Sequence, residues 1–115
     1  TKNRPPVKRM SYKLMRVAVF FDLPTDTAKD RKVYSKFRKM LINEGFIMMQ
    51  ESVYSKIALN NSIVNSVKDR IYKEKPSKGI VQLLVITEKQ YNAIEYVTGS
   101  SDNKVLNDTE RLIIL

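Results

Sequence analysis

The sequence of 115 residues contains no cysteine and no histidine. Without cysteine the chain forms no disulfide and no thiolate metal site, which favours the reducing cytoplasm as its location. Without histidine it lacks the commonest general base and the commonest transition-metal ligand. These two absences exclude enzymes with a cysteine nucleophile or a histidine base, so carboxylates are the strongest candidates for any chemistry.

Long apolar runs are also missing from the chain. No run approaches the roughly 20 residues that a membrane-spanning helix needs. The apolar run at residues 17–21 is too short for the apolar region of a secretory signal. We therefore expect a cytoplasmic protein without a membrane partner, and its length indicates one domain.

Acidic residues are scarce relative to basic ones. The chain has 21 Lys+Arg against 12 Asp+Glu, a formal net charge of +9 and a pI of about 9.8. A domain this basic favours anionic partners, with nucleic acid first and an anionic membrane surface second. A purely solubilising role for the charge is a third reading, disfavoured because the charge is unevenly placed along the chain.

The hydrophobic pattern predicts the order β-α-β-β-α-β, followed by a short helix or turn and one last strand. Strands are predicted at 14–23, 80–87 and 111–115, and at 46–49 and 52–59, which form either two strands or one strand with a break near residues 50–51. One helix is predicted from a cap at Thr25 or Thr27 to about residue 43, and a second from a cap at residue 60 or 61 to Pro76. A short helix or turn is predicted at 88–97. The continuous apolar run at 80–87 indicates a central strand. The helical spacing of apolar residues predicts two core-facing sets: Val33, Phe37, Met40 and Leu41, then Ile63, Val64, Val67, Ile71 and Tyr72.

Two β-α-β units with right-handed crossovers define an α+β, ferredoxin-like βαββαβ sandwich with both helices on one face of the sheet. The other face would expose apolar residues such as Phe20, Met48 and Ile114, which predicts a homodimer packed through that open face. Residues 1–10 are interpreted as a disordered arm or as residues foreign to the natural protein. Residues 11–98 are interpreted as the domain, and residues 99–115 as a flexible loop with a C-terminal strand that adds to the partner's sheet.

A basic row is the strongest functional feature of the first predicted helix. Lys29, Lys32, Lys36 and Lys39 recur every three or four residues on the face away from the core. A solvated helix face usually mixes signs to gain i,i+4 pairs, so an unmixed row is better explained as a phosphate track. The full set of candidate nucleic-acid contacts is Lys13, Arg16, Lys29, Arg31, Lys32, Lys36, Arg38, Lys39, Lys73, Lys75 and Lys78.

Asp22 is the one credible catalytic carboxylate. It follows the apolar run at 17–21 and precedes Leu23-Pro24, which places it near the carboxyl end of the first strand. Its functional interpretation is a Mg²⁺ ligand, and the alternative is an aspartate that caps a turn before proline. One carboxylate is too few for a two-metal site within a monomer, but a second copy across a dimer axis would supply another.

Several segments together resemble the CRISPR-associated protein two family, and especially its members from type II-A loci. These segments are residues 17–24 (VAVFFDLP), 24–28 (PTDTA), 44–48 (EGFIM), 50–56 (QESVYSK) and 85–90 (VITEKQ). The resemblance covers about residues 11–115. It implies a ferredoxin-like homodimer with swapped C-terminal strands that works in CRISPR adaptation.

The resemblance further implies that the dimer bridges two dimers of the CRISPR integrase and holds prespacer double-stranded DNA for spacer acquisition. Some family members are described as Mg²⁺-dependent endoribonucleases or DNases, in which the strand-one aspartates of two protomers share a metal. Asp22 matches that aspartate and Arg31 matches a helix-one arginine of the family. The family often has tyrosine before the aspartate, where this chain has Phe21 and lacks the hydroxyl.

Three functional hypotheses follow. We favour a DNA-binding scaffold over a Mg²⁺-dependent endonuclease that hydrolyses RNA or DNA phosphodiesters through Asp22. The third hypothesis is a regulatory ferredoxin-like module that binds a small ligand, and the chain has no glycine-rich loop to support it, with only Gly45, Gly79 and Gly99.

Overall fold

The computed structural model describes residues 14–100. Within this range the elements follow the predicted order and nearly the predicted boundaries. They are β1 (Met15–Asp22), α1 (Ala28–Asn43), β2 (Ile47–Gln50), β3 (Val53–Ala58), α2 (Asn61–Glu74), β4 (Ile80–Thr87) and α3 (Glu88–Asn92). The predicted arm at 1–10 and the predicted last strand at 111–115 lie outside the described residues.

The described strands form one antiparallel sheet in the order β2-β3-β1-β4. In the register, Val19 lies opposite Tyr54 of β3 and Leu83 of β4. This order confirms the predicted α+β, ferredoxin-like fold. The prediction of a central strand at 80–87 is not met within residues 14–100, where β4 forms an edge. Its apolar run instead reflects two faces, because alternate side chains pack against the helices or lie on the opposite side of the sheet.

Local capping signals determine where the helices begin and end. The Thr27 hydroxyl accepts a hydrogen bond from the Asp30 amide at 3.0 Å, and the Asp30 carboxylate accepts one from the Thr27 amide at 3.3 Å. This reciprocal capping box fixes the start of α1. Gly45, with φ of 96°, follows its end in a conformation that favours glycine. The Asn60 side chain caps α2 by accepting a bond from the Ile63 amide at 2.9 Å.

The core lies between the helices and one face of the sheet. Phe21 of β1 is at its centre, with its ring 5.3 Å from that of Phe37 and 5.6 Å from that of Tyr54. The predicted core positions that are fully buried are Phe37, Met40, Leu41, Val64, Val67 and Ile71. The α1 and α2 helices therefore present the apolar faces that their spacing predicted.

Two predicted core residues are exposed instead. Val33 is 38% exposed and lines a surface pocket with Leu23 and Pro24, so it lies at the edge of the helix layer. Tyr72 is 64% exposed because its neighbour Ile71 occupies the core-facing position, and consecutive helical residues point about 100° apart. The prediction that these two side chains are buried was wrong.

The sheet face opposite α1 and α2, here called the open face, is rich in exposed apolar side chains. Phe20 lies on it as predicted, and the others are Ile47, Ile57, Ile80 and Leu84. The prediction that Met48 lies there was wrong, because Met48 is opposite Tyr54 and shares the helix side of the sheet. The preceding residue, Ile47, takes the open-face position since strand side chains alternate.

Candidate nucleic-acid interface

Four lysines of α1 form a continuous exposed line, here called the lysine row: Lys29, Lys32, Lys36 and Lys39. Residue 29 to residue 39 spans about 15 Å of helix axis. Within residues 14–100, none of the four ammonium groups lies within 4.0 Å of an acidic side chain. The row therefore keeps its positive charge available for an anionic partner.

Two surface depressions follow the lysine row. One, of about 550 Å³, is lined by Lys29, Arg31, Lys32 and the small residues Ala28 and Ser35. The other, of about 470 Å³, lies between α1 and α2. Because Lys32 and Ser35 line both, the two depressions adjoin each other along the helix.

The depression between the helices, here called the α1–α2 groove, has cations on both walls. On α1 it is lined by Lys32, Lys36, Lys39 and neighbouring side chains, and on α2 by Arg70 and Glu74. The sequence pattern did not assign Arg70 to the interface. Its position across from the lysines depends on how two helices pack, which a local pattern does not reveal.

Arg31 and Arg38, the candidate arginines of α1, each make a structural contact. Nη1 of Arg31 donates to the carbonyl oxygens of Thr25 at 3.0 Å and Asp26 at 3.2 Å, which ties the loop after β1 to the helix. Nε of Arg38 donates to the Tyr54 hydroxyl at 2.8 Å. Both arginines are exposed, so they add positive charge to the helix layer while they hold its shape.

The candidates near the end of α2, Lys73, Lys75 and Lys78, are all exposed. Lys78 lines a small pocket of about 90 Å³ together with Lys29, so this lysine meets the lysine row at the start of α1. The Lys75 ammonium lies 5.8 Å from the centre of the Tyr72 ring, a cation–π distance. The fold thus brings Lys78 to the row and leaves Lys73 and Lys75 beside it.

Arg16 occupies a different environment from the one that the sequence suggested. Its side chain is 7% exposed, and its guanidinium donates to both carboxylate oxygens of Glu88, at 2.9 and 2.6 Å. Nη1 also donates to the buried Ser55 hydroxyl at 3.3 Å, and the guanidinium carbon lies 3.8 Å from the Tyr91 ring centre. Arg16 is therefore buried inside the fold, where it holds α3 against the open face. It does not lie on the nucleic-acid surface. Lys13 lies outside the described residues.

Asp22 is exposed on the open face at the carboxyl end of β1, opposite Ile80. The turn before β4 packs closely on this strand end, since a Cβ at Gly79 would lie 2.6 Å from the Asp22 carbonyl oxygen. Gly79 also has φ of 86°, so the approach requires glycine. This tight backbone contact fixes the end of β1 and therefore the position from which the exposed Asp22 side chain extends.

No group of three or more acidic side chains among residues 14–100 comes together around Asp22 or elsewhere as a metal site. A single carboxylate still fits Mg²⁺, which proteins hold through one or two carboxylates, waters and substrate phosphates. Asp22 is exposed on the open face, so its carboxylate is accessible to an ion and fits as one ligand of such a site. Across the same residues, no helix is long and apolar enough to cross a bilayer.

Fold and surface together define a small ferredoxin-like domain with an open apolar sheet face and a cationic helix layer. The family profile described as "CRISPR associated protein Cas2" matches residues 15–94. The chain belongs to the Cas2 family of CRISPR-associated proteins. The family resemblance that the sequence segments indicated is thereby confirmed.

Curated relatives extend this match over most of the chain. A protein of Treponema denticola is 52% identical over 101 residues, which are 88% of this chain and 100% of the relative. A protein of Ligilactobacillus salivarius is 50% identical with the same coverage, and one of Streptococcus mutans serotype c is 48% identical over 88% of this chain and 93% of its own. Each of these relatives is named "CRISPR-associated endoribonuclease Cas2".

Proposed function

We propose that this chain is a homodimeric DNA-binding scaffold of CRISPR adaptation, which holds prespacer duplex DNA and bridges dimers of the CRISPR integrase. The observation that carries the proposal is the lysine row, four exposed cations that have no acidic partner among residues 14–100 and that lie along two adjoining depressions. Lysine ammonium groups neutralise phosphates and release counterions, so the binding is independent of base sequence and falls steeply with salt.

The open face supports the homodimer. Its exposed side chains Phe20, Ile57 and Leu84 lie on three neighbouring strands and form one apolar surface. Burying that surface against a second copy is favourable by roughly 25 cal/mol per Å² of apolar area. A dimer packed in this way carries both helix layers outward, so both lysine rows remain accessible to DNA. In this proposal the predicted strand at 111–115 adds to the partner's sheet.

A second candidate function is a Mg²⁺-dependent endonuclease acting on RNA or DNA. The name of the relatives, endoribonuclease, supports it, and so does the exposed carboxylate of Asp22 on the open face. In a dimer through that face, Asp22 and the same residue of the second copy would hold the metal. Bound Mg²⁺ would neutralise charge on the scissile phosphate and lower the pKa of a bound water.

Substitution Asp22→Asn separates the two functions, because it removes the charge and keeps the shape of the side chain. We expect integration of a short duplex by the cognate integrase to require this chain and to stay within about twofold of the parent in Asp22→Asn, since a scaffold needs phosphate contacts rather than this carboxylate. The measurement is spacer integration in vitro with Mg²⁺, beside cleavage of RNA and DNA by the purified chain.

The matched control is Asp26→Asn, an exposed aspartate in the loop that follows β1. Loss of integration in Asp22→Asn alone, with dimerisation and duplex binding intact, would show that the metal site takes part in the chemistry. Integration that proceeds equally well without this chain would contradict the scaffold proposal itself.

A further inference from the structure

The α1–α2 groove has one feature that a flat basic helix face would lack, namely an arginine on the wall opposite the lysines. We propose that this groove seats the sugar-phosphate backbone of one nucleic-acid strand, with Arg70 binding a phosphate from the α2 side. The inference rests on the proposed DNA binding. It deepens that proposal by naming the α1–α2 groove as the binding site of one strand and Arg70 as a further binding residue.

The contacts of Arg70 leave it able to bind a phosphate. Its Nε lies 3.6 Å from a Glu44 carboxylate oxygen and 3.8 Å from a Glu74 carboxylate oxygen, distances too long for hydrogen bonds. The Arg70 side chain is 49% exposed. Its planar guanidinium can donate two parallel hydrogen bonds to a phosphate, which a lysine cannot do.

The lysines on the opposite wall match the spacing of one strand. From Lys32 through Lys36 to Lys39 the helix advances about 10 Å, and over that length of duplex axis one DNA strand presents about three phosphates. Arg70 would then bind one of these phosphates from the other side. A backbone with cations on both sides is held against sliding sideways out of the groove, which a single row of flexible lysines would not ensure.

Glu74 lies in the same groove and carries the opposing charge. Its carboxylate and that of Glu44 lie close enough to the Arg70 guanidinium to offset part of its charge. A phosphate approaching Arg70 would meet like charge from Glu74, so this residue should weaken binding in the parent. Neutralising Arg70 should therefore weaken DNA binding, whereas neutralising Glu74 should strengthen it.

The test compares Arg70→Gln and Glu74→Gln with the parent and with Lys89→Gln, which removes an exposed cation from α3. Fluorescence anisotropy of a labelled DNA duplex gives the Kd at several salt concentrations, and circular dichroism checks that each variant is folded. We expect Arg70→Gln to raise the Kd about tenfold and to reduce the salt slope by about 1. We expect Glu74→Gln to lower the Kd about threefold and Lys89→Gln to match the parent.

The outcomes separate this inference from the proposed function. If Arg70→Gln and Glu74→Gln both keep the parent's Kd and slope while reversal of the lysine row abolishes binding, the groove is not the seat, although DNA binding stands. If the parent itself shows no salt-dependent duplex binding, the proposed function fails and the inference with it.

Discussion

Replacing Lys32, Lys36 and Lys39 together by glutamate is expected to weaken duplex DNA binding by roughly 1,000-fold and to reduce the salt slope by about 3. The three ammonium groups are exposed and have no acidic partner within residues 14–100, so their charge is free to neutralise phosphates. Three lost contacts, each contributing about tenfold, give this effect. The loss should be uniform across unrelated duplex sequences because phosphate contacts carry no base information.

The matched control reverses the same number of charges in the second half of α2 and at its C-cap, in Lys68→Glu, Lys73→Glu and Lys75→Glu combined. This variant has the same net charge as the reversed row, so it separates the position of the charges from their sum. We expect its Kd to rise at least tenfold less than that of the row variant. Equal losses in both variants would show that net charge alone drives binding, and the lysine row would not be a defined interface.

Replacing Arg16 by methionine is expected to lower the free energy of unfolding by about 3 kcal/mol, because it leaves the Glu88 carboxylate and the Ser55 hydroxyl without their donor. For a domain of this size the melting temperature should fall by roughly 10 °C or more. Urea unfolding at one fixed protein concentration measures the change, since dimerisation would make stability depend on concentration.

The combined variant with Arg16→Met and Glu88→Met provides the control, because it removes both charges and does not leave the Glu88 carboxylate without its partner. We expect it to recover most of the lost stability, as observed when buried ion pairs are replaced by apolar side chains. If Arg16→Met alone is as stable as the parent, the contact with Glu88 does not hold α3 in place.

Below its melting temperature, the single variant should also keep the parent's salt slope for duplex binding, since the guanidinium of Arg16 is turned inward in the parent.

Local signals explain why much of the fold was predictable from the sequence. The capping box of Thr27 and Asp30 marks the start of α1, and Asn60 marks the start of α2. Apolar residues at helical spacing predicted the buried positions Phe37 and Leu41. Such signals depend on neighbours within a few residues, so they are readable before the chain folds.

The candidate site was predictable only where it lies on one element. The lysine row belongs to a single helix, and its spacing identifies it. Arg16 was misplaced because its partner Glu88 is 72 residues away, and an arginine beside an apolar run looks like any surface cation. Arg70 was missed because its position opposite Lys36 comes from the packing of α1 against α2.

The position of Asp22 shows how the two candidate functions share one structure. The lysine row lies on the helix side of the sheet, whereas Asp22 lies on the open face that a second copy would cover. A cationic outer surface can bind DNA whether or not the inner carboxylates hold a metal. Substitutions on the two faces should therefore act independently, which makes the functions separable by experiment.

Spacer integration in vitro tests the central claim most directly. The reaction contains the cognate integrase, Mg²⁺ and a short DNA duplex, with the parent chain, Asp22→Ala, or the variant with Lys32, Lys36 and Lys39 reversed to glutamate. We predict that integration proceeds with Asp22→Ala and fails with the reversed row, because in the proposed scaffold role the chain acts by holding DNA. Integration that survives the reversed row but fails with Asp22→Ala would contradict the scaffold account.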